Sequence, residues 1–378
     1  EQTQQTTTPQ YNIKKVGFPA INDSGLMMDI DEYCEYYKIP RKDVKSYKLI
    51  THTGPPYFNI VFYPKEESMG LMEENLLAIV EKIVSRDKPI QKKRLFVSHN
   101  KAIRLIYSDV HIGMTTNANG YSLYGGKWDE EEVMSRCNAM IESLLDECRS
   151  EKINEVYIDD LGDFMDGWNG LTTRGGHDLP QNMDNEKAFD VGVRFKVHLV
   201  DSLYNSGIID KVICNNVTED NHSGSFGYVV NQSAKQILER DYSGNFLEYN
   251  VHRKFISTYG IGKHGFLICH GKDSKNLKFG FKPKLDDKGS EKISQFIRSE
   301  KLASKYEFIE FSKGDSHQAL FDYATSDEFD YFNIPALSPS SEWVQVNFKK
   351  GRSGFVMQVI DKDKNYKKVI PVWFDWAS

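Results

Sequence analysis

The feature that most limits what this chain can fold into is an alternation that begins near residue 95. Short β-rich runs exchange with longer stretches of helical apolar spacing. "RLIYSD" (104–109) leads to "EEVMSRCNAMIESLLDEC" (131–148), "EVYID" (155–159) to "EKAFDVGVRFKVHLVDSLYNSG" (186–207), and "KVICNN" (211–216) to a helical stretch near 231–240. "GFLICH" (265–270) then leads to a helix near 291–303, and "YEFIEFS" (306–312) follows. The tail from Tyr331 is rich in Pro, Trp and Val and reads as further strands. Alternating β and α units predict a layered α/β domain with ligands at the carboxyl ends of its strands.

Residues 1–94 break this pattern and read as a small N-terminal α+β unit with a linker, leaving 95–378 as the main domain. Within the small unit, "DIDEYCEYYKIPRKDVKSYKLI" (29–50) predicts two short helices joined at Ile39 and Pro40, a pattern that a helix-turn-helix pair and any other packed helical hairpin share. "MEENLLAIVEKIV" (72–84) is helix-like, and "SRDKPIQKKR" (85–94) is the expected break. A chain of 378 residues with 39% hydrophobic side chains is globular and large enough for both units. No apolar run approaches the roughly 18–20 residues that cross a bilayer, and no leader-like segment is expected, so no membrane partner is expected either. The cysteines, 5 in number and never in CxxC, predict reduced thiols and a cytoplasmic location rather than a disulfide frame or zinc ribbon. A net charge of −6 does not advertise a nucleic-acid binder, although a local basic groove would suffice. Nothing in the residues speaks to oligomeric state.

The strand exits carry the chemistry. The first ends "SDVHIG", where Asp109 and His111, two apart in extended chain, share a face. The second ends "LGDFMDG", with Asp163 after a turn-permitting Gly162 and Asp166 one turn further on, in a supporting or capping position. The third is followed by "EDNHS", with Asn221 and His222; the fourth by "CHGKD", with His270; the fifth by "KGDSHQ", with Asp315 and His317. Imidazoles, carboxylates and one amide oxygen without a thiolate suit hard-to-borderline divalent ions such as Mn, Fe, Zn or Mg. Each element is weak alone; five ligand-bearing segments in order at strand ends are not. Of the two carboxylates that close the second strand, Asp159 and Asp160, one is expected to face solvent and the other to orient a ligand histidine.

In this order the motifs resemble those of the calcineurin-like metallophosphoesterases: D-x-H, GDxxD, GNH-[D/E], a lone His and GHxH. The likeness covers about residue 104 to the end, and the spelling of "SDVHIG", "LGDFMDG" and "HGKD" is most similar to bacteriophage-encoded members grouped with repair exonucleases. The resemblance implies a four-layer α/β/β/α sandwich with mixed sheets and two divalent metal ions, Mn favoured. It implies one ion on Asp109, His111, Asp163 and His317, and a second sharing Asp163 with Asn221, His270 and Asp315. His222 would then be the acid that protonates the departing alkoxide, while the ions polarise the phosphoryl group and activate water. A phage-encoded protein would act in the host cytoplasm.

Two departures from that pattern stand out. Asp220 replaces the glycine of GNH and Ser223 the following acid, so the turn is expected to rely on left-handed backbone at Asp220, and the ring of His222 loses its usual acidic neighbour. Asp315 replaces a histidine of GHxH, which keeps an oxygen donor and favours Mn or Mg over Zn.

For the substrate, "TTRGGHDLPQN" (172–182) offers Arg174 and His177, "HGKD" offers Lys272, and "KNLKFGFKPK" (275–284) interleaves lysines, Lys278 among them, with Phe279 and Phe281. Basic and aromatic residues together suit a groove that tracks a nucleic-acid backbone, and equally a solvated strand or hairpin with a packed aromatic face. The expected activity is therefore two-metal phosphodiester hydrolysis with nucleic acid as substrate. A phosphomonoesterase on the same metals, and a binding protein that kept the fold, are the alternatives.

Overall fold

A computed structural model of the chain describes residues 19–41, 44–51, 55–62, 100–117, 120, 122, 126–173, 176–242, 245–271, 282–347 and 351–374. The chain separates into two compact units, Glu1–Val80 and Glu81–Ser378. The expected boundary at 94, the helix over 72–84 and the break over 85–94 lie outside the described residues.

In the smaller unit, helix α1 (Ile30–Tyr36) starts where Asp29 accepts hydrogen bonds from the Asp31 and Glu32 amides while Glu32 reaches back to the Asp29 amide. This reciprocal cap satisfies donors that a helix start leaves orphaned. The second helix expected over 29–50 is a strand. β1 (Val44–Ile50) pairs antiparallel with β2 (Tyr57–Phe62). The helix is already over before Pro40, which disfavours helical backbone at the residue ahead of it, and "YFNIVF" supplies an aromatic and β-branched partner. Val44, Phe58 and Ile60 then close a small core with Ala20, Ile30, Tyr33 and Cys34. The two-helix hairpin expected over 29–50, of helix-turn-helix type or otherwise, is therefore overturned.

The larger unit holds two sheets. β3 (Lys101–Tyr107), β4 (Glu155–Asp160), β5 (Lys211–Val217) and β6 (Leu247–His252) are parallel neighbours in that order. β12 (Gly354–Asp361) and β13 (Lys367–Trp373) extend the sheet antiparallel beyond β3. The crossovers between its parallel strands are α2 (Glu130–Glu151), α3 (Asn185–Asn205) and α4 (Gly224–Asp241). They cover the outer face, where Tyr107 of β3 meets Phe195 of α3 with ring centroids 5.8 Å apart.

The second sheet contains β7 (Ser257–Ile261), β8 (His264–Cys269), β9 (Phe308–Lys313), β10 (Leu320–Asp322) and β11 (Asp330–Asn333), in spatial order β10–β11–β9–β8–β7. Alternation along its strands fixes the layers. Leu267, Cys269, Ile309 and Phe311 face helix α5 (Asp287–Ser299) through Ile293 and Ile297. Phe266 and Ile268 face the other sheet, packing with Ala102, Ile106, Ile360 and Val356. The result is the expected four-layer α/β/β/α arrangement with mixed sheets. A short helix α6 (Glu342–Asn347) precedes β12.

Between the sheets lies a buried ionic knot. Arg104 of β3 binds Asp159 of β4 at 2.6 Å and Glu310 of β9 at 2.5 Å, and its guanidinium stacks 4.4 Å from the Phe266 ring centre. Tyr259 donates to Asp159 at 2.6 Å, and Lys367 of β13 binds Glu310. Asp160 instead pairs with buried Lys196 of α3, which also reaches Tyr107 and Asn216. Neither strand-end aspartate faces solvent or a histidine, because each has a buried cation reserved for it; that expectation is corrected.

Candidate metal centre

The parallel strands β3, β4 and β5 and the strands β8 and β9 all end on one rim, and the loops that leave them carry the candidate ligands. The loops after β3 and β4 run side by side: Asp109 N donates to Gly162 O, His111 N to Asp163 O and Ile112 N to Phe164 O, each at 3.0 Å. Gly162 has φ +97°, a conformation only glycine adopts readily, and its own amide donates to Asp160 Oδ1. Gly314, at the end of β9, is needed for a different reason: a Cβ there would sit 1.9 Å from Ser108 Oγ and 2.8 Å from Asp109 Oδ2. That close approach lets Asp315 N donate to Asp109 Oδ2 at 3.1 Å and joins the two sheets at the site.

Seven side chains named from the sequence come together here. Asp109, His111 and His317 place one donor atom each within 4.8 Å of one another, and so do Asp109, Asp163 and His270. His111 Nε2 and His317 Nε2 face each other at 3.2 Å, and Asp109 Oδ1 lies 3.7 and 3.3 Å from them. Asp163 Oδ1 accepts from the Asn221 and His222 amides at 3.3 and 2.9 Å, and its Oδ2 faces His270 Nε2 at 3.0 Å. Asp315 Oδ1 lies 3.7 Å from the same nitrogen.

Two observations show that these residues fit a cation. Buried Asp109 Oδ1, Asn221 Oδ1, His270 Nε2 and Asp315 Oδ2 make no hydrogen bond. Buried polar atoms left without partners are rare because each carries a desolvation cost of about 1–3 kcal/mol. The His270–Asp163 approach is close enough for an ion pair but not aligned as a hydrogen bond. The second observation is tautomer control. His111 Nδ1 is held by Asp166 Oδ1 and His270 Nδ1 by Leu161 O, each at 3.0 Å, which leaves both Nε2 atoms for the centre.

The electrostatics state the same demand. Burial favours neutral His270, yet Asp163, Asp109 and Asp315 outweigh it and push the imidazole up to about 10. Burial likewise resists charge on Asp163, but His270 and His222 hold its carboxyl well below the carboxylate range. For Asp315 burial wins and the carboxyl is raised, with Asp109 and Asp163 adding to the shift. The cluster needs positive charge, which protons on imidazoles or bound cations can supply.

The backbone is strained where the ligands sit. Asp109, His111, Asp163, Asp315 and His317 have φ of 54°, 48°, 47°, 69° and 53°, a region non-glycine residues rarely occupy. Such outliers gather at sites that the surrounding structure holds in place.

Asp220 is not among them, so the turn expected to need left-handed backbone there works differently. Its side chain is a tie: Oδ2 accepts from Asp163 N at 3.0 Å and Ser223 Oγ at 3.1 Å, and Oδ1 from the Ser223 and Gly224 amides at 2.9 and 2.8 Å. Ser223 Oγ in turn accepts from Met165 N at 3.1 Å. Asp220 and Ser223, the two unexpected residues of "EDNHS", therefore bond to each other and lace the Asp163 loop to the start of α4. Burial and the adjacent Asp163 push the Asp220 carboxyl up to about 7.

His222 lies at the mouth, its ring edge-on to His111 at 4.6 Å. Its Nδ1 is 3.2 Å from Asp166 O and 3.4 Å from Asp166 Oδ1. Asp166 thus supplies from the previous loop the acidic neighbour that position 223 lacks. Burial opposes a charged His222, but Asp163 and Asp166 prevail and raise it above the usual histidine value.

The substrate-binding residues fare differently. Arg174, Lys272 and Lys278, with most of the 275–284 stretch, lie outside the described residues. His177 is exposed in a turn closed by Thr172, and no contact among the described residues links its ring to the centre. Sequence reasoning missed the Asp220–Ser223 tie, because neither residue belongs to a ligand-type pattern.

No family model matches this chain, and no curated protein does. Solved structures with a similar layout include an uncharacterised Streptococcus pneumoniae protein described as a predicted phosphoesterase, at 13% identity and TM-score 0.30, covering 74% of this chain and 92% of that one. Another is GAP50, the anchor in the inner membrane complex of Plasmodium, at 10% identity and TM-score 0.34, covering 73% and 85%. A Mycoplasma pneumoniae phosphatase overlaps at 9% identity and TM-score 0.30, covering 75% and 95%. At such overlap the functional reading stands on the site's own residues.

Proposed function

We propose that the chain is a metal-dependent hydrolase of phosphate esters, acting on phosphodiesters and with nucleic acid as its substrate. The observation that carries this reading is the set of buried, unpartnered donor atoms on Asp109, Asn221, His270 and Asp315, drawn together from two sheets. Asp109, His111, Asp163 and His317 would hold one divalent ion, and Asp163, Asn221, His270 and Asp315 a second. Such a pair supplies charge neutralisation for the phosphoryl oxygens and an activated water.

The protein's own groups account for the rest. Asp163 lies between the two donor sets, fixed by two backbone amides and the Asp220 tie, so its carboxylate cannot swing out of line. His222, held by Asp166 and raised above the usual histidine value, would give a proton to the leaving alkoxide. Asp315 gives one donor set an extra oxygen and supports Mn or Mg there. The nucleic-acid part rests on the motif spelling and the basic–aromatic stretch at 275–284, since the helical hairpin that would have added to it is a strand.

The test is metal analysis of purified protein together with hydrolysis of bis(p-nitrophenyl) phosphate and the mono-ester in Mn. Stoichiometric ion and preference for the di-ester are expected. Absence of bound Mn, Fe or Zn together with no Mn-stimulated hydrolysis would sink the hydrolase reading; preference for the mono-ester would move it to phosphomonoesterase.

A further inference from the structure

The ligand-bearing strand ends follow the order of the sheet: Asp109 beyond β3, Asp163 beyond β4, Asn221 beyond β5. The next strand along the same rim is β6, and the residue after it is Arg253. The ends of β5 and β6 are locked together, with Thr218 N and Thr218 Oγ1 both donating to His252 O at 3.0 and 2.9 Å. Between them opens a cavity of about 230 Å³ lined by Thr173, Thr218, Glu219, Asp220, Gly224, Ser225, Tyr228 and Arg253.

This cavity adjoins the catalytic loop on two sides. Asp220, one of its walls, binds the amide of Asp163 at 3.0 Å, and Thr173, another, donates its amide to His222 O at 3.2 Å. At the start of α4 the Ser223 and Gly224 amides are already taken, both donating to Asp220 Oδ1. The cation in the cavity is Arg253, whose guanidinium lies 4.6 Å from the Tyr228 ring centre. That stacking fixes the plane of the guanidinium and leaves its edge donors for an anion. The Tyr228 hydroxyl accepts from Gln232 Nε2 at 3.1 Å, so its own proton is available to donate. Glu219 and Asp220 also line the cavity, and the Asp220 oxygens are taken by the Asp163, Ser223 and Gly224 amides, so an anion would sit against Arg253.

We infer that Arg253, with Tyr228 and Thr173, forms a subsite for a phosphate of the substrate neighbouring the one that reacts. The inference rests on the phosphodiesterase reading and deepens it. A space of about 230 Å³ is smaller than a pocket for a whole drug-sized ligand, and it accommodates one phosphate with part of its sugar. A planar fork that pairs with two phosphate oxygens is the group suited to that task. A substrate running along the rim from β3 to β6 would present successive phosphates first to the metal ligands and then to Arg253. A polynucleotide meets this requirement; a simple phosphate ester does not.

The experiment compares wild type, Arg253→Ala, Arg253→Lys and Tyr228→Ala in two assays. In the first, a labelled short single-stranded oligonucleotide is titrated at several salt concentrations in Ca. Arg253→Ala is expected to weaken binding by roughly tenfold or more and to shrink the salt slope by about one contact. Arg253→Lys should keep the slope and recover part of the affinity. In the second, kcat/KM in Mn is measured on the oligonucleotide and on bis(p-nitrophenyl) phosphate, which has no second phosphate. The ratio of the two should fall by roughly tenfold in Arg253→Ala, through KM rather than kcat. Wild-type affinity and slope in Arg253→Ala, or an unchanged ratio, would overturn the subsite. If wild type hydrolyses neither substrate, the hydrolase reading fails, and the binding titration still decides this one.

Discussion

Asp163 and His222 are neighbours in space with separable tasks, and single substitutions should pull those tasks apart. Asp163→Ala removes the carboxylate between both donor sets, so it should lose stoichiometric Mn by metal analysis and lose hydrolysis with it. Full activity in that variant would refute the dinuclear assignment. His222→Ala leaves every proposed ligand in place. It should keep its metal and lose roughly 10²–10⁴-fold in kcat on substrates with poor leaving groups, and much less on p-nitrophenyl esters, which depart without a proton. At this scale the sequence was most readable where residue type alone announces a role. Asp109, His111, Asn221, His270, Asp315 and His317 are named by chemistry and order. Asp159 and Asp160 were misread because their partners, Arg104 and Lys196, sit 55 and 36 residues away and carry no mark of the pairing. Asp220 and Ser223 looked like losses from a motif, and only their mutual hydrogen bond shows them acting together.

Elements were legible according to how much local pattern they contain. Helices α2 and α3 and strands β3, β4, β5, β8 and β9 fall close to their expected positions because apolar periodicity suffices for them. Helix α4 starts at Gly224, ahead of the expected stretch, since its first turn is secured by Asp220 rather than by apolar spacing. Strand β6, "LEYNVH", buries few apolar side chains and carries no strand pattern, and β1 reads as a helix because its partner β2 lies beyond the window in which periodicity is read. The junction between the two sheets is a matter of elements too. Gly314→Ala would drive a methyl group into Ser108 and Asp109, and overpacking of this kind costs about 1–3 kcal/mol. Urea denaturation should show that loss, and metal affinity should fall in the same variant. Glu310→Ala should be harsher, because it leaves Arg104 with one carboxylate where it had two. Breaking a buried pair costs about 3–5 kcal/mol, readable as a drop in thermal midpoint.

The same knot gives the whole molecule a pH dependence. Burial pushes the Glu310 carboxyl up, but Lys367 and Arg104 overcome it and hold it down at about 2, against an ordinary value of 4.5. A depressed carboxylate stabilises the fold fully above its unfolded value and loses that contribution as pH falls through the folded one. Glu310 should therefore contribute roughly 3 kcal/mol near neutrality, and that contribution should fade between about pH 4.5 and 2. The stability gap between wild type and Glu310→Gln, followed by denaturant melts down that range, should narrow with acid; a constant gap would contradict the assignment. No described helix is long and apolar enough to cross a membrane. The contact between Asp315 N and Asp109 Oδ2 spans 206 residues of chain and joins loops from different sheets. A ribosome must therefore deliver nearly the whole main unit before the first and last ligands can meet, and no shorter fragment holds the complete set. Ion capture would then serve as a certificate of finished folding: chelation should lower the thermal midpoint of the intact chain, whereas truncation before Gly314 should abolish the response to Mn altogether.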